Sequence, residues 1–147
     1  MRNKLNLTLS YILLAVLFSA CSKQNTSTVT PQPAAAGIAN PASVNCEQKG
    51  GKLEMRARGD GGSYGVCVFK DNRQCEEWAL YGGKCPADGV NVTGFTTDAA
   101  AFCVISGGEY TPTSNSGTAN EQGTCTFKNA TTCDASDFFN GKCSENK

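Results

Sequence analysis

Period-two alternation is clearest in "KLEMRAR" (52–58), where Leu53, Met55 and Ala57 alternate with Lys52, Glu54, Arg56 and Arg58. It predicts a half-buried strand. "GDGG" then turns the chain and "SYGVCVF" (63–69) returns it, which completes a β-hairpin. Helical signals flank the hairpin. Before it, "NPASVNCEQKGG" offers Asn40 as N-cap, Pro41 at the first helical position and the Gly50–Gly51 pair as a stop. After it, beyond a "KDNR" turn, "QCEEWALY" (74–81) reads as a short helix that packs through Trp78, Leu80 and Tyr81 and ends at Gly82 and Gly83. A two-stranded hairpin is marginal alone, so the helices must cover it.

The same statement is made twice. Cys46, Cys67, Cys75 and Cys85 are separated by 21, 8 and 10 residues, and Cys103, Cys125, Cys133 and Cys143 by 22, 8 and 10. Gly50–Gly51 aligns with Gly107–Gly108, Phe69–Lys70 with Phe127–Lys128, and Gly83–Lys84 with Gly141–Lys142. "TDAAAFCVISGG" repeats the first helix with Thr97 or Asp98 as cap, while "TPTSNSGTANEQG" stretches the second hairpin turn. Two repeats are too few for a solenoid, so the reading is a duplicated unit. The fold class is therefore small, disulfide-rich α+β, with two tandem helix, hairpin and short-helix modules at 40–86 and 97–147 joined by a linker at 87–96.

At the N-terminus, Arg2 and Lys4 precede an apolar run from Leu9 to Phe18, with Ser19 and Ala20 before Cys21. That is the layout of a signal peptide over 1–20, and the run is too short for the roughly 20 residues of a spanning helix. A cysteine directly after small residues resembles the bacterial lipobox, with Phe18 standing where that motif usually has Leu. The resemblance implies a diacylglyceryl thioether on Cys21 and an N-acyl chain such as palmitate, which together anchor far better than one chain. Eight cysteines remain after Cys21, an even number, and an odd one in an exported protein needs its own task. Ser22 is not the Asp that marks inner-membrane retention in such lipoproteins, which points to the outer membrane. Residues 21–39, rich in Ser, Thr, Gln, Pro and Ala, form a flexible tether that holds the first module about 20–25 Å from the membrane.

Charge narrows the partners. The chain has 13 basic and 13 acidic residues, and without Arg2 and Lys4 the balance is 11 to 13, so no basic field recruits nucleic acid. The chain also contains no histidine, which removes Ser-His-Asp and Cys-His sets. Glu76 and Glu77 are adjacent on a short helix, do not face each other and read as solvated first-turn acids rather than an acid–base pair. Four thiolates per module could hold zinc, but no close Cys-x-x-Cys exists and export leads to an oxidising space. We expect no enzyme, no metal and no cofactor. Spacing leaves three disulfide connectivities open in each module.

"NPASVNCEQKGGKLEMR", "GSYGVCVF" and "CEEWALYGGKC" resemble the bacterial domain-of-unknown-function family numbered 333, whose members are small exported lipoproteins often labelled hemolysins. The likeness covers Asn40 to Cys85 closely and residues 97–143 as a diverged copy, in which Ala135 and Ser136 replace Glu77 and Trp78. It implies no biochemical activity. Family members with only the first two cysteines imply the pairing Cys46–Cys67 and Cys75–Cys85, repeated as Cys103–Cys125 and Cys133–Cys143. Each such bridge would constrain the unfolded chain by about 3 kcal/mol.

Two functions follow as expectations. The first is a lipid-anchored envelope protein whose stapled module binds an envelope partner or plays a structural part, with the Glu77–Trp78 face as a candidate contact. Trp78 is expected in the core, and a surface position beside Tyr81 would turn it into a binding patch. The alternative is a protease inhibitor, because "CVFKDNRQC" presents Lys70 and Arg73 as trypsin-type cleavage-site mimics between Cys67 and Cys75. Direct membrane lysis, the toxin reading, is disfavoured because neither spanning helices nor a closed barrel is visible after Cys21.

Overall fold

The computed structural model describes residues 39–146. The signal peptide, Cys21 and the tether up to residue 38 lie outside the described residues. Copy one runs α1 (Pro41–Gln48), β1 (Lys52–Ala57), β2 (Ser63–Val68), β3 (Arg73–Glu76) and α2 (Glu77–Tyr81), followed by β4 (Val90–Asn91). Copy two runs α3 (Asp98–Ile105), β5 (Glu109–Ser114), β6 (Gln122–Thr126), β7 (Thr132–Asp134) and α4 (Ala135–Phe139). The hairpins and first helices form where the pattern predicts them. Asn40 caps α1 by accepting from the Ala42 N–H at 3.0 Å, and Thr97 rather than Asp98 caps α3, accepting from the Ala100 N–H at 3.2 Å.

Two elements depart from the sequence reading. Residues 73–76 extend the hairpin as a third strand, with Cys75 opposite Cys67, and the short helix starts only at Glu77. The cause is pairing: β3 completes the ladder of β2, and tertiary pairing overrides the helical propensity of "QCEE". Residues 87–96, where the sequence predicts only a linker, contain β4, which pairs antiparallel with Arg73 and Gln74. Sheet A is thus the antiparallel meander β1-β2-β3-β4, and sheet B is β5-β6-β7.

All eight described cysteines form disulfides in the pattern implied by the family resemblance. Cys46–Cys67 and Cys103–Cys125 have Cα–Cα distances of 5.6 Å, and Cys75–Cys85 and Cys133–Cys143 of 5.9 Å. The sulfurs are themselves the core: Cys46, Cys67, Cys75 and Cys85 are buried with Ala79 and Leu80 between sheet A and the pair α1 and α2. The second glycine of each Gly-Gly pair makes room for them, since a Cβ on Gly51 would collide with the Cys67 sulfur and one on Gly108 with the Cys125 sulfur.

The opposite face of sheet A is covered by copy two. Alternation places Val66 on that face, and it is fully buried against Phe102 and Ile105 of α3, with Tyr64, Val68, Val90, Phe138 and Phe139 packed around them. Phe102 sits at ring-centroid distances of 4.9 Å from both Tyr64 and Phe138. Aligned on the cysteines, the two copies differ where this contact requires it. Copy two has Gln122, Thr124 and Thr126 on sheet B at the places of Tyr64, Val66 and Val68, and copy one has Asn45 and Gln48 on α1 at the places of Phe102 and Ile105. Each end of the pair is polar, as in capped repeat proteins.

Phe102→Ala is expected to lower stability by about 3–5 kcal/mol in urea unfolding with the disulfides intact. The double change Thr124→Val and Thr126→Val rebuilds the apolar face of sheet A on sheet B, and light scattering after gel filtration should then show self-association that the unaltered chain lacks.

Candidate functional site

The helix α2 is fixed in orientation by its two acids. Glu76 is the N-cap, its carboxylate accepting from the Ala79 N–H at 2.7 Å. Glu77 is only 5% exposed, and its carboxylate takes Ser43 Oγ at 2.7 Å and Asn40 Nδ2 at 3.2 Å from the start of α1. Gly65 on β2 leaves the space its carboxyl occupies. Neither acid therefore lies on a solvated face, and Glu77 is a clamp between the two helices rather than a binding group. A buried carboxylate needs such partners, and the sequence gives them no obvious spacing.

With Glu77 and Leu80 inward, α2 turns Trp78 and Tyr81 outward. They are 51% and 54% exposed, and their rings meet edge to face at 5.9 Å. This reverses the expectation that Trp78 belongs to the core. The buried positions of α2 are Ala79 and Leu80, which pack with the disulfides against sheet A. In copy two, Ser136 aligns with Trp78, and Phe139, aligned with Tyr81, turns into the interface between the copies. The aromatic face is thus peculiar to copy one.

Trp78 borders a cleft of about 250 Å³ between the copies, shared with Arg58, Glu76, Phe102 and Phe138. Arg58 donates from Nη2 to the Phe138 carbonyl at 2.9 Å and from Nε to the Phe139 carbonyl at 3.3 Å, and its guanidinium lies 5.1 Å above the Phe102 ring. Two of its five donors hold the end of α4, so it braces the cleft. Burial raises the pKa of Glu76 above its ordinary value. Sequence reasoning missed Arg58, Phe102 and Phe138. One signal was available, the apolar Phe102 and Ile105 on α3 against the polar Asn45 and Gln48 on α1.

Lys70, on the turn between β2 and β3, and Arg73, at the start of β3, stand elsewhere, and the structure does not bring them to Trp78 or Glu77. Lys70 is exposed. The Arg73 guanidinium is held by Asp71, at 2.6 Å, and by Asp88, and Asn72 between the two basic residues has φ +62°. A protease-binding loop presents an extended chain, which this tight turn does not, and of its two basic side chains Arg73 is already held. Cys67 and Cys75 belong to different bridges, so no disulfide closes the loop between them. Among the described residues, no cluster of three His, Cys, Asp or Glu could hold a metal ion, and no helix is long and apolar enough to cross a membrane.

A family model described as "Domain of unknown function (DUF333)" matches twice, at residues 37–84 and 94–142. The protein YdbJ of Escherichia coli K12, described as uncharacterized, is 31% identical over 75 residues, which cover 48% of this chain and 85% of YdbJ. YoaF of Escherichia coli K12 and of Shigella flexneri, likewise uncharacterized, is 35% identical over 79 residues, covering 54% of this chain and 93% of YoaF. These relatives are thus not much longer than half of this chain. No solved structure matches it.

The raised pKa of Glu76 has a signed consequence. Its folded form holds the proton more tightly than the unfolded chain, so this contribution to stability is complete below the ordinary value of 4.5 and is lost as pH rises through the folded value. Glu76→Gln keeps an oxygen for the Ala79 N–H and removes the titration. The difference in stability between the parent and this variant should therefore change across that window and be flat at higher pH, as measured by urea unfolding at a series of pH values.

Proposed function

We propose, for a chain that belongs to the DUF333 family and carries that domain twice, the role of a lipid-anchored envelope protein whose stapled body presents Trp78 and Tyr81 to a protein partner. The observation that carries the reading is this exposed edge-to-face aromatic pair on a short helix clamped by Glu77. Large aromatics held rigidly in water contribute area at little cost in conformational entropy, and such residues dominate protein interfaces. The adjoining cleft beside Arg58 and Phe102 offers a place for a partner side chain.

Anchoring through Cys21 is part of the same proposal. The signal-like start supports it, and so does the pairing of all eight other cysteines with one another, which leaves Cys21 a separate task. An outer-membrane address follows from Ser22 by the same reasoning. No catalytic step belongs to the proposal, in keeping with the lack of histidine. The inhibitor alternative is the weaker reading, because Asp71 and Asp88 already occupy Arg73.

Fractionation tests the anchor: the chain is expected with the membranes, and Cys21→Ser in the soluble exported fraction. A photo-crosslinking residue in place of Tyr81 should capture one dominant envelope protein, and Trp78→Ser should abolish that band while changing stability by about 1 kcal/mol or less. Capture in proportion to abundance, or a band indifferent to Trp78→Ser, contradicts the proposal.

A further inference from the structure

Each copy has a groove between the end of its first helix and the turn that follows its hairpin. In copy two it is lined by Gly107, Phe127, Lys128, Asn129 and Glu145, and one further residue, Lys84, arrives from the last loop of copy one. Lys84 is an occupant. Its carbonyl accepts from Lys128 Nζ at 3.1 Å, and its ammonium pairs with Glu145, whose own carbonyl accepts from Asn129 Nδ2 at 2.9 Å. Its backbone lies so close to Gly107, at φ +90°, that a Cβ there would stand 2.8 Å from the Lys84 oxygen.

Copy one has the same frame, and among the described residues it has no such occupant. Gly50, Phe69 and Lys70 align with Gly107, Phe127 and Lys128, yet a Cβ on Gly50, at φ +79°, would meet no described residue within 4 Å. The open space beside these residues is about 440 Å³. The charges differ at five positions. Ala87 stands where Glu145 takes the Lys84 ammonium, Lys49 where copy two has Ser106 and Arg73 where it has Thr131, while Asp71 and Asp88 stand where it has Asn129 and Asn146. Both carboxylates hold Arg73, and among the described residues neither Lys49 nor Lys70 pairs with a carboxylate, so the groove carries three cations against two anions.

We propose that the groove of copy one binds an extended acidic peptide segment of a partner protein. A main-chain carbonyl takes Lys70 as the Lys84 carbonyl takes Lys128, the peptide backbone lies against Gly50 above the Phe69 ring, and a carboxylate side chain reaches Lys49. Copy two shows that this frame seats the backbone and side chain of one residue, Lys84, and in copy one the loss of Glu145 and the two unpaired ammoniums of Lys49 and Lys70 favour an acidic occupant over a basic one. This site is separate from the Trp78 face and does not rest on it.

The test is nitrogen-15 chemical-shift mapping on the full chain in detergent micelles, titrated with a decapeptide of alternating Gly and Glu and, for comparison, of alternating Gly and Lys. The acidic peptide is expected to shift Gly50, Lys70 and Asn72 but not Gly107 or Lys128, with an affinity that falls as salt rises. Two variants are expected to weaken it at least tenfold. Lys49→Glu reverses a charge on the surface, and Gly50→Asn fills the groove with a residue that tolerates positive φ. Absence of a localised response, equal response to the Gly-Lys peptide, or binding unchanged by both variants overturns the proposal. A groove that responds to anionic phospholipid vesicles and not to the peptide also overturns it.

Discussion

Sheet A has two faces that cannot be left in water, and covering the second one organises the described body. Its first face holds Cys67 and Cys75 against α1 and α2, as expected of a small stapled domain. Its second carries Tyr64, Val66 and Val68, and copy two closes it with Phe102 and Ile105 of α3 and Phe138 and Phe139 of α4. Burying a residue such as Val66 or Phe102 contributes about 1.5–3 kcal/mol each, a large share of the net stability of a domain this size. The contact also accounts for how the copies have diverged. Where one more copy would have to stack, at the sheet of copy two and the first helix of copy one, the sequence substitutes Thr124, Thr126, Asn45 and Gln48.

The disulfides do a different part of the task. They replace the large aliphatic side chains that a 45-residue unit has no room to pack, and they constrain the unfolded chain by about 3 kcal/mol each in the loop-entropy account. They pack with Leu80 and Ala79 of α2 against sheet A. With those two residues inward, Trp78 and Tyr81 face the surface, so the staple that makes the fold possible also positions the aromatic face. In the same way, the duplication that fills one groove with Lys84 leaves its counterpart in copy one without such an occupant among the described residues.

Most of the local structure was legible in the sequence. Alternation in "KLEMRAR" and "SYGVCVF", the Asn40 and Thr97 caps and the paired glycines reproduce the observed helices and hairpins. What was not legible depended on partners outside the segment itself. The strand at Arg73–Glu76 and the short strand at Val90–Asn91 form because a ladder edge is present to receive them, which no local signal encodes. Glu77 looked solvated because its partners, Asn40 and Ser43, lie more than 30 residues away in sequence. Trp78 looked like core because a lone tryptophan in a small domain usually is. The contrast between Phe102 and Asn45 on aligned helices was the readable clue to a shared interface.

The central claim is that the two copies fold as one unit through the face of sheet A that α3 covers. Differential scanning calorimetry with the disulfides intact tests it most directly. One transition, with a calorimetric enthalpy equal to the van't Hoff enthalpy, is the predicted result. Two separable transitions, each with the enthalpy of a single copy, would contradict it.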